Sequence, residues 1–142
     1  MPASGESATV LVDTSVAVAL VVADHDHHEV TFQALRSRTL GLAGHAAFET
    51  FSVLTRLPPP ARRPPAIVTQ LLADTFPESR FLGSGAAASL LAALGSTGIA
   101  GGAVYDALVG AVATEYRLRL ATRDRRALPV YRALGVDVEL IA

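Results

Sequence analysis

Short β-branched and aliphatic runs alternate along the chain with longer stretches whose apolar residues recur at helical spacing. The short runs predict five buried strands, at Thr9–Val12, Leu40–Ala43, Arg80–Leu82, Arg119–Thr122 and Val136–Ile141. The longer stretches predict helices over residues 16–23, 29–38, about 45–57, 66–76, 86–94, 103–116 and 125–134. Because strands that alternate with helices form parallel sheets covered on both faces, we expect a three-layer α/β/α fold around a five-stranded parallel sheet.

The chain has 142 residues, the size of one ordinary domain. Residues 1–8 are small and polar and predict a flexible N-terminal tail, and residues 9–142 predict a single domain without internal repeats. Hydrophobic residues make up 51% of the chain, yet the longest apolar run, Val16–Ala23, is far shorter than a membrane span. No basic segment of a signal peptide opens the chain. We therefore expect a cytoplasmic protein that covers some of its apolar surface with a partner.

Composition excludes several kinds of chemistry. The chain has no cysteine, which excludes thiolate metal sites and cysteine nucleophiles. All 12 basic residues are arginine, so enzymes that depend on a lysine, such as P-loop NTPases, are excluded. Since 13 acidic residues balance them to a net charge of -1, a strongly basic DNA-wrapping protein is not expected.

Four acidic residues follow predicted strands or fall near the start of predicted helices: Asp13, Glu49, Asp106 and Asp124. In open α/β folds, functional groups gather beyond the carboxyl ends of the strands, so the fold can bring these distant residues together. Asp13 and Asp106 interrupt apolar stretches, and a buried carboxylate must be paired, protonated or bound to a metal. Carboxylate oxygens in one cleft favour Mg²⁺ or Mn²⁺. Helix capping is the alternative interpretation for each residue taken alone.

The motifs around these residues resemble those of PIN domains, in particular the VapC-type toxins of bacterial toxin–antitoxin pairs. The first motif is VLVDTS at residues 10–15, and the second is FETFSVLTRL at residues 48–57. The third is GGAVYDAL at residues 101–108, and the fourth is TRD at residues 122–124. The four motifs occur in the family's order and extend over nearly the whole chain from about residue 9.

The resemblance implies a PIN fold with a five-stranded parallel sheet and a Mg²⁺-dependent endoribonuclease, with Mn²⁺ able to substitute. Structured RNA such as tRNA or rRNA would be the substrate, cut to leave a 5′-phosphate and a 3′-hydroxyl. It also implies a homodimer, and a VapB-like antitoxin that blocks the enzyme and mediates any contact with DNA. Carried over by position, Asp13, Glu49, Asp106 and Asp124 match the catalytic and metal-binding acids. Among them we expect Asp13 and Asp106 to be the main ligands, and Glu49 and Asp124 to bind the metal directly or through water. Ser15 and Thr122 match supporting hydroxyl positions.

RNA binding next to an acidic site requires positive charge to offset the phosphates. Arg123, Arg125 and Arg126 surround Asp124 and are the main candidates, with ordinary surface solvation as the alternative. Aromatic residues make up only 6% of the chain, so we expect recognition of folded RNA by shape rather than by a base-stacking platform. The segment DHDHH at residues 24–28 could suggest a transition-metal site, but a solvated loop is the simpler interpretation.

Three other functions remain open from the sequence. A PIN-like binding module without catalysis is one, and the intact set of four acids argues against it. A metal-dependent DNA nuclease is another, because the same site could cut DNA. A phosphoaspartate protein is the third, but such proteins use a lysine, and their phosphatases need an aspartate where this chain has Ser15.

Overall fold

The computed structural model describes residues 8–142, so most of the predicted N-terminal tail at residues 1–8 lies outside the described residues. Strands β1 (Thr9–Val12), β2 (Thr39–Leu42), β3 (Arg119–Thr122) and β4 (Val138–Leu140) form one parallel sheet in the order β2-β1-β3-β4. The seven α-helices of this part of the chain are α1 (Thr14–Val21), α2 (His28–Leu35), α3 (His45–Thr55), α4 (Pro65–Thr75), α5 (Ser84–Thr97), α6 (Ala103–Tyr116) and α7 (Leu128–Ala133). A short 3-10 helix, Arg125–Ala127, precedes α7.

Alternating side chains of the central strands build two cores, one on each face of the sheet. Val10 and Val12 of β1 pack into one core with residues of α1, α2 and β2. Leu11, between them, packs into the other core with residues of α6 and α7. Because successive side chains of a strand point to opposite faces, helices pack on both sides of the sheet. This confirms the predicted three-layer α/β/α architecture.

The prediction of five strands is wrong in its count for residues 8–142, where the sheet has four. The predicted strand Arg80–Leu82 is reduced to an isolated parallel bridge between Ala43 and Arg80. The backbone of residues 78–80 pairs with β2 only briefly. Glu78 N donates to Leu40 O (3.1 Å) and Arg80 N donates to Leu42 O (3.1 Å). The ladder ends there because β2 has no further residues to offer.

Gly44 explains why β2 ends so abruptly. Its φ of +52° lies in the left-handed region that favours glycine, and it turns the chain from β2 directly into α3. Gly44 N also donates to Arg80 O (2.7 Å), which fixes the turn against the segment of residues 78–80. The turn places the first turns of α3 beyond the carboxyl end of β2, where Glu49 can face the ends of the other strands.

None of the helices formed by residues 8–142 is long and apolar enough to cross a membrane.

Several element bounds differ from the predictions by a few residues. The largest difference is α5, which runs from Ser84 to Thr97 rather than from 86 to 94. The predicted last strand, residues 136–141, is shortened to Val138–Leu140.

Candidate functional site

A cavity of about 130 Å³ lies at the carboxyl end of the sheet. All four carboxylates predicted from the sequence line it. Among the described residues, those that line it are Asp13, Thr14, Ser15, Glu49, Asp106, Val109, Asp124 and Tyr131. We call this the acidic cavity. The fold therefore brings together acids that are up to 111 positions apart (124 − 13), as the rule for strand ends predicts.

Asp13 is the most buried of the four and the most heavily hydrogen-bonded. It follows β1 and caps α1, where its Oδ1 accepts from Val16 N (3.2 Å) and from Ser15 Oγ (2.6 Å). Its Oδ2 accepts from Thr122 Oγ1 (2.5 Å) and from Tyr131 OH (3.0 Å). Burial raises the pKa of the Asp13 carboxyl, and the four hydrogen bonds act in the opposite direction. All four donors are uncharged, so no side-chain cation from residues 8–142 bonds to this buried group.

The two predicted hydroxyls connect Asp13 to the segment that carries Asp124. Ser15 Oγ donates to Asp13 and accepts from Arg123 N (2.9 Å). Thr122 Oγ1 likewise donates to Asp13 and accepts from Asp124 N (3.0 Å). Each hydroxyl can do both because it carries one donor and two acceptor lone pairs. The end of β1 and the end of β3 are thereby held in one fixed arrangement.

Glu49 faces the acidic cavity from the second turn of α3. Thr14 Oγ1 donates to Glu49 Oε1 (3.0 Å), which ties α3 to the start of α1. His45, one helical turn earlier, places its Nε2 3.9 Å from Glu49 Oε2. The Glu49 side chain is only partly buried, so one of its oxygens stays within reach of solvent and of a ligand.

Asp106 lies in the first turn of α6 and is the carboxylate most affected by its neighbours' charge. Desolvation raises the pKa of its carboxyl, and repulsion from Asp124, Asp13 and Glu49 raises it further. Arg126 acts against that rise from the rim of the cavity. The acidic cavity therefore concentrates more negative charge than its own arginine neutralises.

Asp124 carries out the capping role that the alternative interpretation assigned to it, and it lines the cavity as well. Its Oδ1 accepts from Arg126 N (3.0 Å) at the start of the 3-10 helix. Arg126 Nε is 3.4 Å from the same oxygen, while its side chain is almost fully exposed. Arg125 is exposed too, whereas Arg123 is half-buried and its Nε finds no hydrogen-bond partner within the described part of the chain. Of the three predicted RNA-binding arginines, Arg126 is thus the one placed at the rim by a direct contact.

The donor chemistry of the acidic cavity fits a hard divalent cation. Four carboxylates with too little positive charge around them are the surroundings that Mg²⁺ and Mn²⁺ prefer. Within residues 8–142, no three acidic or histidine side chains are grouped so as to hold an ion by themselves. Mg²⁺ usually keeps several of its waters and takes only one or two carboxylates directly. A hydrated ion therefore suits this arrangement better than a fully protein-ligated one.

Three cavity-lining residues were not predicted from the sequence, the apolar Val109 and the polar Thr14 and Tyr131. Tyr131 of α7 is buried and donates its hydroxyl to Asp13, and burial beside that carboxylate raises the pKa of Tyr131. Thr14 bonds Glu49. A tyrosine within an apolar helix is a usable signal, because a buried phenol normally needs a hydrogen-bond partner. Its partner could not be named from the sequence, since Asp13 is 118 positions away.

The histidine segment at residues 24–28 uses its ring nitrogens locally. His28 Nδ1 lies 2.8 Å from Ala19 O, and His25 Nδ1 accepts from His27 N (3.0 Å). These bonds fix the turn between α1 and α2 and lie outside the acidic cavity. The segment has no part in the candidate site.

Comparison with known proteins gives consistent results. Residues 10–133 match the family described as PIN domain. The chain is 44% identical over 131 residues to Ribonuclease VapC27 of Mycobacterium tuberculosis, covering 92% of this chain and 96% of that one. It is 46% identical over 131 residues to Ribonuclease VapC40 of the same species, covering 91% and 96%. Among solved structures it resembles VapBC2 from Rickettsia felis, bound to a DNA fragment from their promoter, with a TM-score of 0.65 at 14% identity, covering 93% and 98%.

Proposed function

The chain belongs to the PIN-domain family, and from that membership we infer that it is a VapC-type toxin that cuts RNA endonucleolytically with the help of Mg²⁺. The observation that carries the proposal is the acidic cavity, where four acids distant in sequence meet in a chain of this family. We further propose that its substrate is a structured RNA such as tRNA or rRNA, that it acts in the cytoplasm as a homodimer, and that a VapB-like antitoxin neutralises it. DNA would be contacted only through that antitoxin.

Asp106, Glu49 and Asp124 are the residues that would hold the metal, directly or through its waters, with Mn²⁺ able to replace Mg²⁺. When bound, the ion supplies charge to stabilise the reacting phosphate and lowers the pKa of a bound water. Asp13 lines the same cavity, but its oxygens already accept four hydrogen bonds. We therefore assign Asp13 mainly to fixing the cavity, which differs from its place as a main ligand in the sequence-based expectation.

Arg126 is proposed to receive a phosphate of the RNA. Its guanidinium lies at the rim, is nearly fully exposed and is only weakly engaged with Asp124. An acidic cavity repels a polyanion, so an exposed cation beside it lowers the cost of approach. Arg123 and Arg125 flank the same segment and would add to this effect.

The test is cleavage of mixed tRNA and rRNA, with a DNA pool beside it, by protein freed of any bound antitoxin. It compares Mg²⁺ with EDTA and wild type with Asp106→Asn. Asp137→Asn is the matched control, because Asp137 is an exposed aspartate that pairs with Arg119 (3.2 Å) away from the cavity. We expect RNA cuts with 5′-phosphate ends that require Mg²⁺, persist in Asp137→Asn and fall at least about 100-fold in Asp106→Asn.

Two results would contradict this function. Cuts in DNA but not in RNA would assign the site to a DNA nuclease. Folded protein that binds no Mg²⁺ and cuts neither polymer would leave a PIN-like binding module without catalysis.

A further inference from the structure

Two pairs of rings lie beside the acidic cavity, His45 with Tyr105 and Phe48 with Phe81. His45 and Tyr105 stack with centroids 5.1 Å apart and planes 22° from parallel. Phe48 and Phe81 meet edge to face with centroids 6.1 Å apart. Phe48 is 67% exposed, Phe81 50% and Tyr105 51%, so all three are accessible to solvent. We call these four residues the aromatic platform.

A second cavity, of about 240 Å³, opens over the platform. Its walls are Gly44, His45, Phe48, Phe81, Leu82, Leu108 and Val112. It shares two helices with the acidic cavity. Helix α3 gives Glu49 to one and Phe48 to the other, and α6 gives Asp106 and Val109 to one and Leu108 and Val112 to the other.

The two cavities therefore lie next to each other. His45 lines the aromatic side, and its Nε2 is 3.9 Å from Glu49 Oε2 on the acidic side. Tyr105 directly precedes Asp106 on α6. Part of the ring surface therefore lies beside a carboxylate of the acidic cavity.

The charge of the chain limits how strongly contacts to phosphate alone can bind RNA. The chain has a net charge of -1 and no lysine, and its acidic cavity opposes a polyanion. Phosphate contacts alone are then a weak source of RNA affinity. Stacking of a base on an aromatic ring does not depend on the protein's net charge, and it tolerates any base sequence.

We propose that the aromatic platform is a stacking site for an unpaired nucleobase next to the phosphate held at the acidic cavity. The proposal rests on the proposed ribonuclease function, because the base belongs to the RNA that the site would cut. It also differs from the expectation that so few aromatic residues leave no stacking surface. The count is low, but the fold places three of the chain's exposed aromatic rings and a histidine together.

The test uses a single-stranded RNA oligonucleotide that carries the fluorescent base 2-aminopurine. Binding is measured in EDTA, where the RNA stays intact, and cleavage is measured separately in Mg²⁺. The variants are Phe48→Leu and Tyr105→Leu, which keep an apolar side chain and remove the ring. Phe32→Leu is the matched control, since Phe32 is a comparably exposed phenylalanine on α2, away from both cavities.

We expect wild type and Phe32→Leu to change the 2-aminopurine fluorescence equally. Phe48→Leu and Tyr105→Leu should weaken RNA binding about five- to hundredfold and raise KM more than they lower kcat. Their thermal unfolding and molar mass in solution should match those of wild type.

Three results would overturn the proposal. Unchanged RNA affinity in both ring variants would show that no base stacks there. A shift from dimer to monomer in Phe48→Leu, or loss of antitoxin binding with RNA affinity intact, would assign the platform to a protein interface. Wild-type protein that neither binds nor cuts RNA would remove both the platform and the ribonuclease. If wild type binds RNA with the fluorescence change but does not cut it, the platform stands and the ribonuclease function fails.

Discussion

Asp13 is a buried carboxylate held by four uncharged donors, so removing a single donor atom should change the stability of the fold. A buried acceptor that loses a partner keeps the full cost of its lost hydration. Tyr131 is informative because its hydroxyl is removed by Tyr131→Phe without changing the ring that packs in the core. The effect of that one oxygen can therefore be separated from packing.

We predict that Tyr131→Phe lowers the free energy of unfolding at pH 7 by about 1–3 kcal/mol, as for other buried bonds to charged groups. Urea unfolding followed by circular dichroism measures it. Tyr116→Phe is the control, because that hydroxyl donates to Phe81 O (3.0 Å) at the surface and its loss should cost well under about 1 kcal/mol. Equal losses in the two variants would show that Asp13 does not depend on the phenol.

Asp106 gives a prediction about pH in the metal-free protein. Desolvation and the neighbouring carboxylates raise the folded-state pKa of Asp106 above its ordinary value, so the folded state binds its proton more readily than the unfolded state. A charged Asp106 thus destabilises the fold at pH 7, and this cost disappears as the pH falls through the raised pKa toward about 4.

Asp106→Asn should therefore be more stable than wild type at pH 7 in EDTA, by less than about 1 kcal/mol because the group is partly exposed to solvent. The difference between the two proteins should shrink as the pH is lowered. Thermal unfolding of both proteins from pH 7 to pH 4 measures it, with Asp137→Asn as the control that should show no such trend. A difference that grows toward acidic pH would mean that the cavity does not repel this carboxylate.

At the scale of elements, the contact between β2 and the segment of residues 78–80 is unusually close. A Cβ on Gly41 would lie 2.1 Å from Glu78 O and 2.4 Å from Glu78 C, both backbone atoms that cannot turn aside. Glycine at this position lets the segment of residues 78–80 run beside β2 and fixes the turn at Gly44. The start of α3, and with it Glu49, depends on that turn.

Gly41→Ala should lower the free energy of unfolding by about 1–3 kcal/mol or more, because the backbone must move to admit the methyl group. The matched control is Gly95→Ala in α5, where a Cβ meets nothing within 4 Å. That variant should gain about 0.5–1 kcal/mol, since alanine replaces glycine inside a helix. Chemical denaturation of both variants measures the contrast, and a neutral Gly41→Ala would rule out the close approach.

The elements were largely predictable because each has a local signal. Apolar runs and helical periodicity indicated the four strands and all seven helices, with errors of a few residues at their ends. The fifth strand was mispredicted because Arg80–Leu82 has a strand-like composition. The number of residues that can pair there depends on where β2 ends. That stop is set by Gly44 and its contact with Arg80, which join parts of the chain 36 positions apart (80 − 44).

At the scale of the whole molecule, the acidic cavity was predictable and its surroundings were not. Parallel strands end at the same edge of a sheet, so acids that follow them must meet, whichever helices lie between. Tyr131 and the aromatic platform depend instead on how α3, α6 and α7 dock on the sheet. Periodicity shows that a helix has a buried face, but it does not show which residue of another helix that face meets.

The concentration of charge in the acidic cavity predicts how the whole fold responds to metal. A ligand that binds only the folded state stabilises it by RT ln(1 + [L]/Kd), about 2.7 kcal/mol when the ion is at 100 times its Kd. Mg²⁺ or Mn²⁺ also relieves the repulsion among the four carboxylates, so the gain at pH 7 should exceed that from NaCl of equal ionic strength. Lowering the pH should reduce the gain, because protons compete with the metal for Asp106, whose pKa is raised.

Thermal unfolding in EDTA, in Mg²⁺ and in NaCl of matched ionic strength, at pH 7 and pH 5, tests this directly. Wild type and Asp137→Asn should gain the same stability from Mg²⁺ at pH 7 and less at pH 5, whereas Asp106→Asn should gain little at either pH. An equal gain in Asp106→Asn would locate the ion outside the acidic cavity. That outcome would remove the metal from the proposed mechanism even if RNA were still cut.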